Sequence, residues 1–438
     1  MMIVLQFPPM GGMAVSRMYA FAKYWSRMGH EVTVVTPKKY PLFGAMNYHP
    51  PGYENENIRL IEVDFAPWFT KRYERQEAAP SDQKVTQKSF LGYVRMWLRG
   101  LRKKVIGNSL DVHTIWRHAV EKRAITLLEK EPFDVVFSSF SPQSSHAIAS
   151  RLKRRYPRLF WVAHYRDLWT GNHLLEMHSI LKYFQRRKER RMLAQANMIT
   201  TVSPGFADYL KVLHQKDITV IYNGYDPEEI SQIPDEPFFK QDHTFRIVYT
   251  GTIYTGTRDP SPLFQAVATL YASTEISPEN FEIHFFGDSG DVKEIAHKYG
   301  VEHFIHIGGS VPKIDAYRAQ RDADMLLMLE HEGSNVDKNP SMAGTIPAKV
   351  FEYMASGTPM MVIGLSDKSM AGELVVRANA GCVCSTDIPN VTHYLVDCLQ
   401  EKKKCHSQRD EALIEMYRRD IQAGHLIAQI QKARETDG

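Results

Sequence analysis

Short apolar runs of strand length alternate with helical patterns along this chain, and the alternation starts over halfway. From residue 2 to residue 36 the order is strand, loop, helix, strand: Ile3-Val4-Leu5-Gln6-Phe7, the turn from Pro8 to Gly12, an amphipathic stretch to Met28, then Gly29-His30 and Glu31-Val32-Thr33-Val34-Val35-Thr36. Further buried-strand patterns cover residues 58–63, 135–139, 159–164, 197–202 and 218–222, most of them separated by helical periodicity. An interval rich in Pro and Asp follows (Asp226-Pro227, Pro234, Pro237), after which strands resume at residues 245–250, 281–286, 303–307, 323–329 and 359–363. Parallel strands need a crossover between them, usually a helix, so this order predicts two doubly wound α/β domains in tandem. The predicted divisions are 1–222, 223–415 and a helical C-terminal stretch over 416–438.

At 438 residues, 43% hydrophobic and 24% charged, the chain has the composition of a globular protein of two or three domains. No run approaches the roughly 18 apolar residues of a membrane span. The N-terminal apolar run stops at Pro8-Pro9 and lacks the regions of a signal peptide, so a cytoplasmic protein is expected. Cys382, Cys384, Cys398 and Cys405 fit neither a disulfide framework nor a zinc spacing and read as free thiols.

Charge is unevenly spread. Residues 1–220 hold 34 Lys and Arg against 18 Asp and Glu, a net of +16, whereas the remainder holds 20 against 32, a net of −12. A basic half seeks an anionic partner. Without zinc-finger spacing, an RNP-like stretch or a basic recognition helix, nucleic acid is not expected, and a membrane surface or phosphorylated lipid fits better. Within residues 76–113, Phe90, Tyr93, Val94, Trp97, Leu98, Leu101 and Val105 share one helical face, with Arg95, Arg99, Arg102 and Lys103 on the other. Such a helix can lie on anionic lipid, and it can equally pack on its own domain with a solvated basic back. Arg186-Arg187-Lys188-Arg190-Arg191 reads as a solvated helix face that adds to the basic field.

Gly11 and Gly12 fall between the first strand and its helix, at the carboxyl end of a parallel sheet, where α/β folds bind ligands. They would let backbone N–H groups approach a phosphate or sugar, and an ordinary turn would use them as well. The three-glycine dinucleotide fingerprint and the P-loop lysine are both absent. Lys349 and Glu352, three apart near the start of a helix opening after Pro347, share a face. A diphosphate there would meet unpaired amides, the favourable dipole end and an ammonium, while the carboxylate could grip a ribose diol. The plainer alternative is an exposed ion pair worth roughly 0.2–0.5 kcal/mol. Arg166-Asp167 ends a strand and could hold an acceptor phosphate while the Asp orients or deprotonates a hydroxyl, or could form a structural salt bridge; His164, on the same strand face as Arg166, is a secondary polar contact.

These segments together resemble the glycosyltransferase family 4 group. The resemblance is carried by Pro8-Pro9-Met10-Gly11-Gly12 with Arg17, by Phe133-Asp134-Val135-Val136 with Ser141-Pro142 and His146, by Arg166-Asp167-Leu168-Trp169, by Thr201-Val202-Ser203, by Asn223-Gly224-Tyr225-Asp226, and by Pro347-Ala348-Lys349-Val350-Phe351-Glu352-Tyr353-Met354-Ala355-Ser356-Gly357-Thr358-Pro359. It runs from about residue 2 to residue 365. It implies a GT-B fold, two Rossmann-like domains facing across a cleft, with the acceptor on the first, a nucleoside-diphosphate sugar on the second (uridine or guanosine expected) and the C-terminal helix crossing back. It also implies retaining, Leloir-type transfer with no metal ion, no bound cofactor and no enzyme nucleophile. Thr250, Gly251, Thr252 and Arg258 are the implied phosphate site, Lys349 and Arg258 the charge stabilisers, Val311 a nucleobase contact, and Glu352 the ribose contact.

Two departures from the family pattern stand out. Thr252 occupies the place of an expected Arg, with Arg258 standing in for a Lys, and Gly344 occupies the place of a sugar-facing Glu eight residues before Glu352. Backbone amides from Gly344 through Thr345 to Ile346 would take over the sugar contact; Glu330, His331 and Glu332 are alternatives, or else loop-surface residues. The function expected is transfer to a glycan or polyprenyl-diphosphate-linked glycan in surface-polysaccharide assembly, at the inner face of a membrane. A sugar-nucleotide epimerase of the same fold and a catalytically silent scaffold subunit are the alternatives.

Overall fold

The computed structural model describes residues 1–40, 46–50, 52–65, 116–172, 179–330, 344–400 and 408–437. The amphipathic stretch 76–113, with His331, Glu332 and Cys405, lies outside the described residues. The chain divides into two compact units, Met1–Tyr222 with Ala423–Gly438, and Asn223–Gln422. Among the described residues no helix is long and apolar enough to cross a membrane.

The first unit is built on strands β1 (Met2–Ile3), β2 (Val32–Pro37), β3 (Ile58–Val63), β4 (Val135–Phe140), β5 (Phe160–Tyr165), β6 (Met198–Thr201) and β7 (Ile218–Val220). They form one parallel sheet in the order β3-β2-β1-β4-β5-β6-β7. Every residue of β5 is buried, as expected for a strand covered on both faces. One face packs on a core containing Trp116, Leu152, Trp161 and Tyr165, and the other on one containing Phe21, Trp25 and Phe137.

Helices α1 (Met13–Arg27), α2 (Gln143–Arg155), α3 (Ser179–Leu193) and α4 (Pro204–His214) cover these faces. The start of α4 follows from its sequence: Ser203 caps it by accepting the Phe206 amide at 3.3 Å, and Pro204 sits in the first turn, where no N–H is needed. The apolar run from Ile3 to Phe7 gives only Ile3 to the ladder, although Val4, Leu5 and Phe7 are buried. Past the ladder a side chain takes the carbonyls: the Lys39 ammonium donates to the Leu5 carbonyl at 2.6 Å and to the Pro37 carbonyl, the last of β2, at 3.2 Å.

The second unit has strands β8 (Phe245–Thr250), β9 (Phe281–Phe286), β10 (Ile305–Gly309), β11 (Met325–Leu329), β12 (Met360–Ile363) and β13 (Gly381–Ser385). Their order is β10-β9-β8-β11-β12-β13, again parallel throughout. Strand β13, Gly-Cys-Val-Cys-Ser, has too little apolar content to announce itself in the sequence. Its Cys382 and Cys384 are free thiols with sulfurs 3.6 Å apart.

Helices α5 (Lys313–Arg321) and α6 (Lys349–Ser356) belong to this unit, and α7 (Arg419–Asp437) begins in it. From Ala423 onward α7 is part of the first unit, where Trp25 Nε1 donates to the Ala423 carbonyl at 3.0 Å and Leu426 and Ile430 are buried in the Phe21–Trp25 core. In each sheet the strand order reverses once, beside β1 and β4 in the first and beside β8 and β11 in the second. Doubly wound sheets open a ligand crevice beyond the carboxyl ends at such a reversal.

Candidate active site

At the reversal of the second sheet, β8 runs into Gly251, and α6 faces it. Gly251 has φ +126°, a backbone conformation that favours glycine, and an added Cβ would lie 3.1 Å from the Lys349 ammonium. Lys349 Nζ donates to Tyr249 Oη at 2.9 Å and lies 4.1 Å from the centre of that ring, a cation–π contact. Burial, then the nearby Arg258 charge, push the Lys349 pKa down to about 7 against the opposing pull of Glu330 and Glu352. Its i+4 neighbour Tyr353, fully buried, accepts the Thr250 amide at 2.9 Å, and burial pushes its phenol up to about 12.

Arg258 reaches the same cluster. One guanidinium nitrogen donates to the Thr252 carbonyl at 2.7 Å and the other to Glu330 Oε1 at 2.7 Å. Glu330 is therefore neither a surface loop residue nor free, since its carboxylate is committed to Arg258. The structure also sorts the backbone donors anticipated after β8. The Gly251 amide is taken by the Phe286 carbonyl at 2.8 Å and the Thr250 amide by Tyr353, leaving Thr252 as the one of the three whose N–H is unengaged among the described residues. Gly287, at φ +112°, is needed for this approach, because its Cβ would stand 2.4 Å from the Gly251 carbonyl oxygen.

Glu352, on the same helix, is buried and belongs to a network the sequence did not reveal. Tyr317 of α5 donates to Glu352 Oε1 at 2.9 Å and lies 3.2 Å from Glu229 Oε2, while Lys313 meets Glu229 at 2.6 Å and Glu352 at 3.8 Å. A phenol has one proton, so the two carboxylates compete for it and the Lys313 ammonium supplies the second interaction. Only the α5 pairing of Lys313 and Tyr317 at i,i+4 could have hinted at this, and nothing in sequence ties it to Glu229. Among the other anticipated residues, Thr345 is exposed, Ile346 is buried, and Val311 is half-buried in the loop after β10.

In the first unit, Gly12 at φ +110° precedes α1 with open space where a Cβ would be, and Gly11 is half-buried beside it. Arg17, five residues on, is a structural residue. It donates to the Tyr222 and Ile221 carbonyls at 2.6 Å each and to His164 Nε2 at 3.2 Å. His164 is thus not a ligand contact: it is wholly buried, bonded through Nδ1 to Thr200 at 2.8 Å, with burial and the Arg17 charge holding its pKa well below the usual imidazole range.

At the carboxyl end of β5 Arg166 Nε donates to Asp167 Oδ2 at 2.8 Å, and both side chains remain partly exposed. Just beyond them is another group missed by sequence. Glu189, fully buried on α3, accepts from Tyr165 Oη at 2.8 Å, from Thr170 Oγ1 at 2.5 Å and from the Thr170 amide at 3.2 Å, and burial, opposed by those bonds, pushes its pKa up to about 7.

Over residues 10–229, half of its length, the chain matches the family described as Glycosyltransferase Family 4, and it belongs to that family. It is a retaining, Leloir-type glycosyltransferase, an enzyme that takes its sugar from a nucleotide-sugar donor. No curated protein matches it in sequence. Among solved structures it is similar to sucrose-phosphate synthase from Thermosynechococcus elongatus (13% identity, TM-score 0.58, covering 99% of each chain). It is also similar to the N-terminal domain of trehalose-6-phosphate phosphatase from Candida albicans (12% identity, TM-score 0.59, covering 99% of this chain and 96% of that one). A third likeness is to WaaG, a glycosyltransferase involved in lipopolysaccharide biosynthesis (15% identity, TM-score 0.52, covering 100% of this chain and 99% of that one). At such identities the likeness carries the fold, and that fold is GT-B.

Proposed function

We propose that this glycosyltransferase moves a sugar from a nucleoside-diphosphate sugar to a glycan or polyprenyl-diphosphate-linked glycan in surface-polysaccharide assembly, with the acceptor held by the first unit and the donor by the second. The observation that carries the donor assignment is the Lys349 ammonium, buried against Gly251 at the end of β8 with Arg258 in the same cluster. Two cations and the Thr252 amide are what a diphosphate needs at a sheet reversal. Donor entry draws Arg258 from Glu330 toward the phosphates and frees the Glu330 carboxylate for a sugar hydroxyl, filling the role left open at Gly344. Glu352 keeps one oxygen on Tyr317 and offers the other to the ribose diol.

Departure and attack then take place on one face of the sugar, the leaving diphosphate takes the acceptor's proton, and Lys349 and Arg258 stabilise the charge that develops on it. On the acceptor side, Arg166 parts from Asp167 to take an acceptor phosphate. A lipid-linked acceptor is supported by α3, which exposes Ile180, Tyr183 and Phe184 at 64%, 61% and 61%. Beside α3 runs a groove of about 540 Å³ with Arg117, Arg151, Arg154, Arg187, Lys188 and Arg191 in its lining. Apolar side chains beside a basic groove suit the surface of an anionic membrane.

The test is a thermal-shift panel of UDP, GDP, ADP, CMP and NAD, with and without EDTA. A ligand at 100 times its dissociation constant adds about 2.7 kcal/mol. One nucleoside diphosphate should stabilise the protein equally in both conditions, and Lys349→Ala should abolish both the shift and acceptor-dependent nucleotide release. Full activity of Lys349→Ala would overturn the site.

A further inference from the structure

Away from the Lys349 cluster, the face of the second sheet opposite its apolar core carries an unusual set of side chains. Phe281, Ile283 and Phe285 of β9 point into that core, so Glu282 and His284 point the other way. Across the ladder His306 of β10 is the register partner of His284, and the two imidazoles stack 4.7 Å apart at 15°. His284 Nε2 lies 2.9 Å from Glu282 Oε2, and one ligand atom from each of the three residues falls within 4.8 Å of the others.

We propose that Glu282, His284 and His306 bind one divalent transition cation of the zinc, nickel or copper class. Two imidazoles and one carboxylate are the donor set these ions take, whereas magnesium and calcium want oxygen alone. In a tetrahedral zinc site at about 2.0–2.2 Å per bond, ligand atoms stand about 3.4 Å apart. His306 is exposed, so its ring can swing to close that distance, and three protein ligands leave a fourth position for water.

The surroundings support the site. Arg246 Nε donates to Glu282 Oε2 at 2.9 Å, which orients the carboxylate and leaves Oε1 for a cation, while His284 Nε2 gives up its contact with Oε2 when it becomes a ligand. Arg246 is itself paired with Asp242 at 3.0 Å, so the two carboxylates and one guanidinium present a net negative charge to an incoming ion. The Phe239 ring, 4.8 Å from His284, limits that imidazole's freedom. Because β10 is the edge strand of its sheet, a cation spanning β9 and β10 would pin it two residues before Gly308.

Untagged protein, stripped with chelator, is titrated calorimetrically with zinc and with nickel. One site per chain with a micromolar dissociation constant is expected, weakened at least about tenfold in His306→Ala and in His284→Ala while their circular dichroism stays that of wild type. Cobalt should give visible ligand-field bands without the ultraviolet thiolate charge transfer. Cys382→Ser/Cys384→Ser should bind as wild type. The proposal is overturned if wild type shows no saturable site, if neither His variant weakens binding, or if the Cys variant abolishes it.

Discussion

Lys349 holds its proton only up to about pH 7 in the free protein, because its ammonium is buried and faces Arg258. A bound diphosphate raises that pKa, so donor binding takes up a proton wherever the free lysine is neutral. The sign follows: affinity is greatest below pH 7 and falls as pH rises through it, by at most about tenfold per pH unit. Calorimetry of a nucleotide-sugar at pH 6.5 and 8.5 in two buffers of different ionisation enthalpy measures both the fall and the proton uptake. Gly251→Ala tests the neighbouring backbone. It forces φ +126° on an alanine and sets a methyl 3.1 Å from Lys349 Nζ, so a stability loss of about 1 kcal/mol or more and a donor KM raised about tenfold are expected from melts and initial rates. At this scale, the lysine and Glu352 were legible because a three-residue spacing on one helix puts both side chains on one side. Tyr317 and Glu229 were not, because their partnership with Glu352 is made by tertiary packing.

Helix α3 shows where element-level reading stops. Its basic run, Arg186-Arg187-Lys188-Arg190-Arg191, is a largely solvated face as expected, yet Gln185 and Glu189, four apart, are buried. Hydropathy periodicity cannot reveal an inward face made of polar residues, whereas the strands rich in aliphatic and aromatic residues reported themselves almost residue for residue, as β3, β8 and β9 did. The buried Glu189 has a consequence. Its folded pKa, about 7, lies above its ordinary 4.5, so the folded state holds the proton more tightly; the stabilisation is complete below pH 4.5 and is lost as pH rises through 7. Glu189→Gln should remove that component, so its melting temperature relative to wild type should climb between pH 5.5 and 8. A constant difference across that range would show that Glu189 does not titrate there.

For the whole molecule, the basic character of the first half and the aromatic and aliphatic side chains exposed on α3 make one expectation. Wild type should sediment with phosphatidylglycerol-rich liposomes and be released by 0.5 M salt, while Tyr183→Glu/Phe184→Glu should stay in solution at low salt; equal sedimentation of that variant would remove α3 from the docking surface. Cooperative folding bears on the chain's two ends. The core around Phe21, Trp25 and Phe137 is completed by Ala423, Leu426 and Ile430, so a nascent chain that has emerged only as far as Tyr222 lacks part of its own interior. The ribosome must deliver the entire second unit before the last pieces of the first arrive, and until then a patch built for burial faces water and whatever chaperone meets the chain.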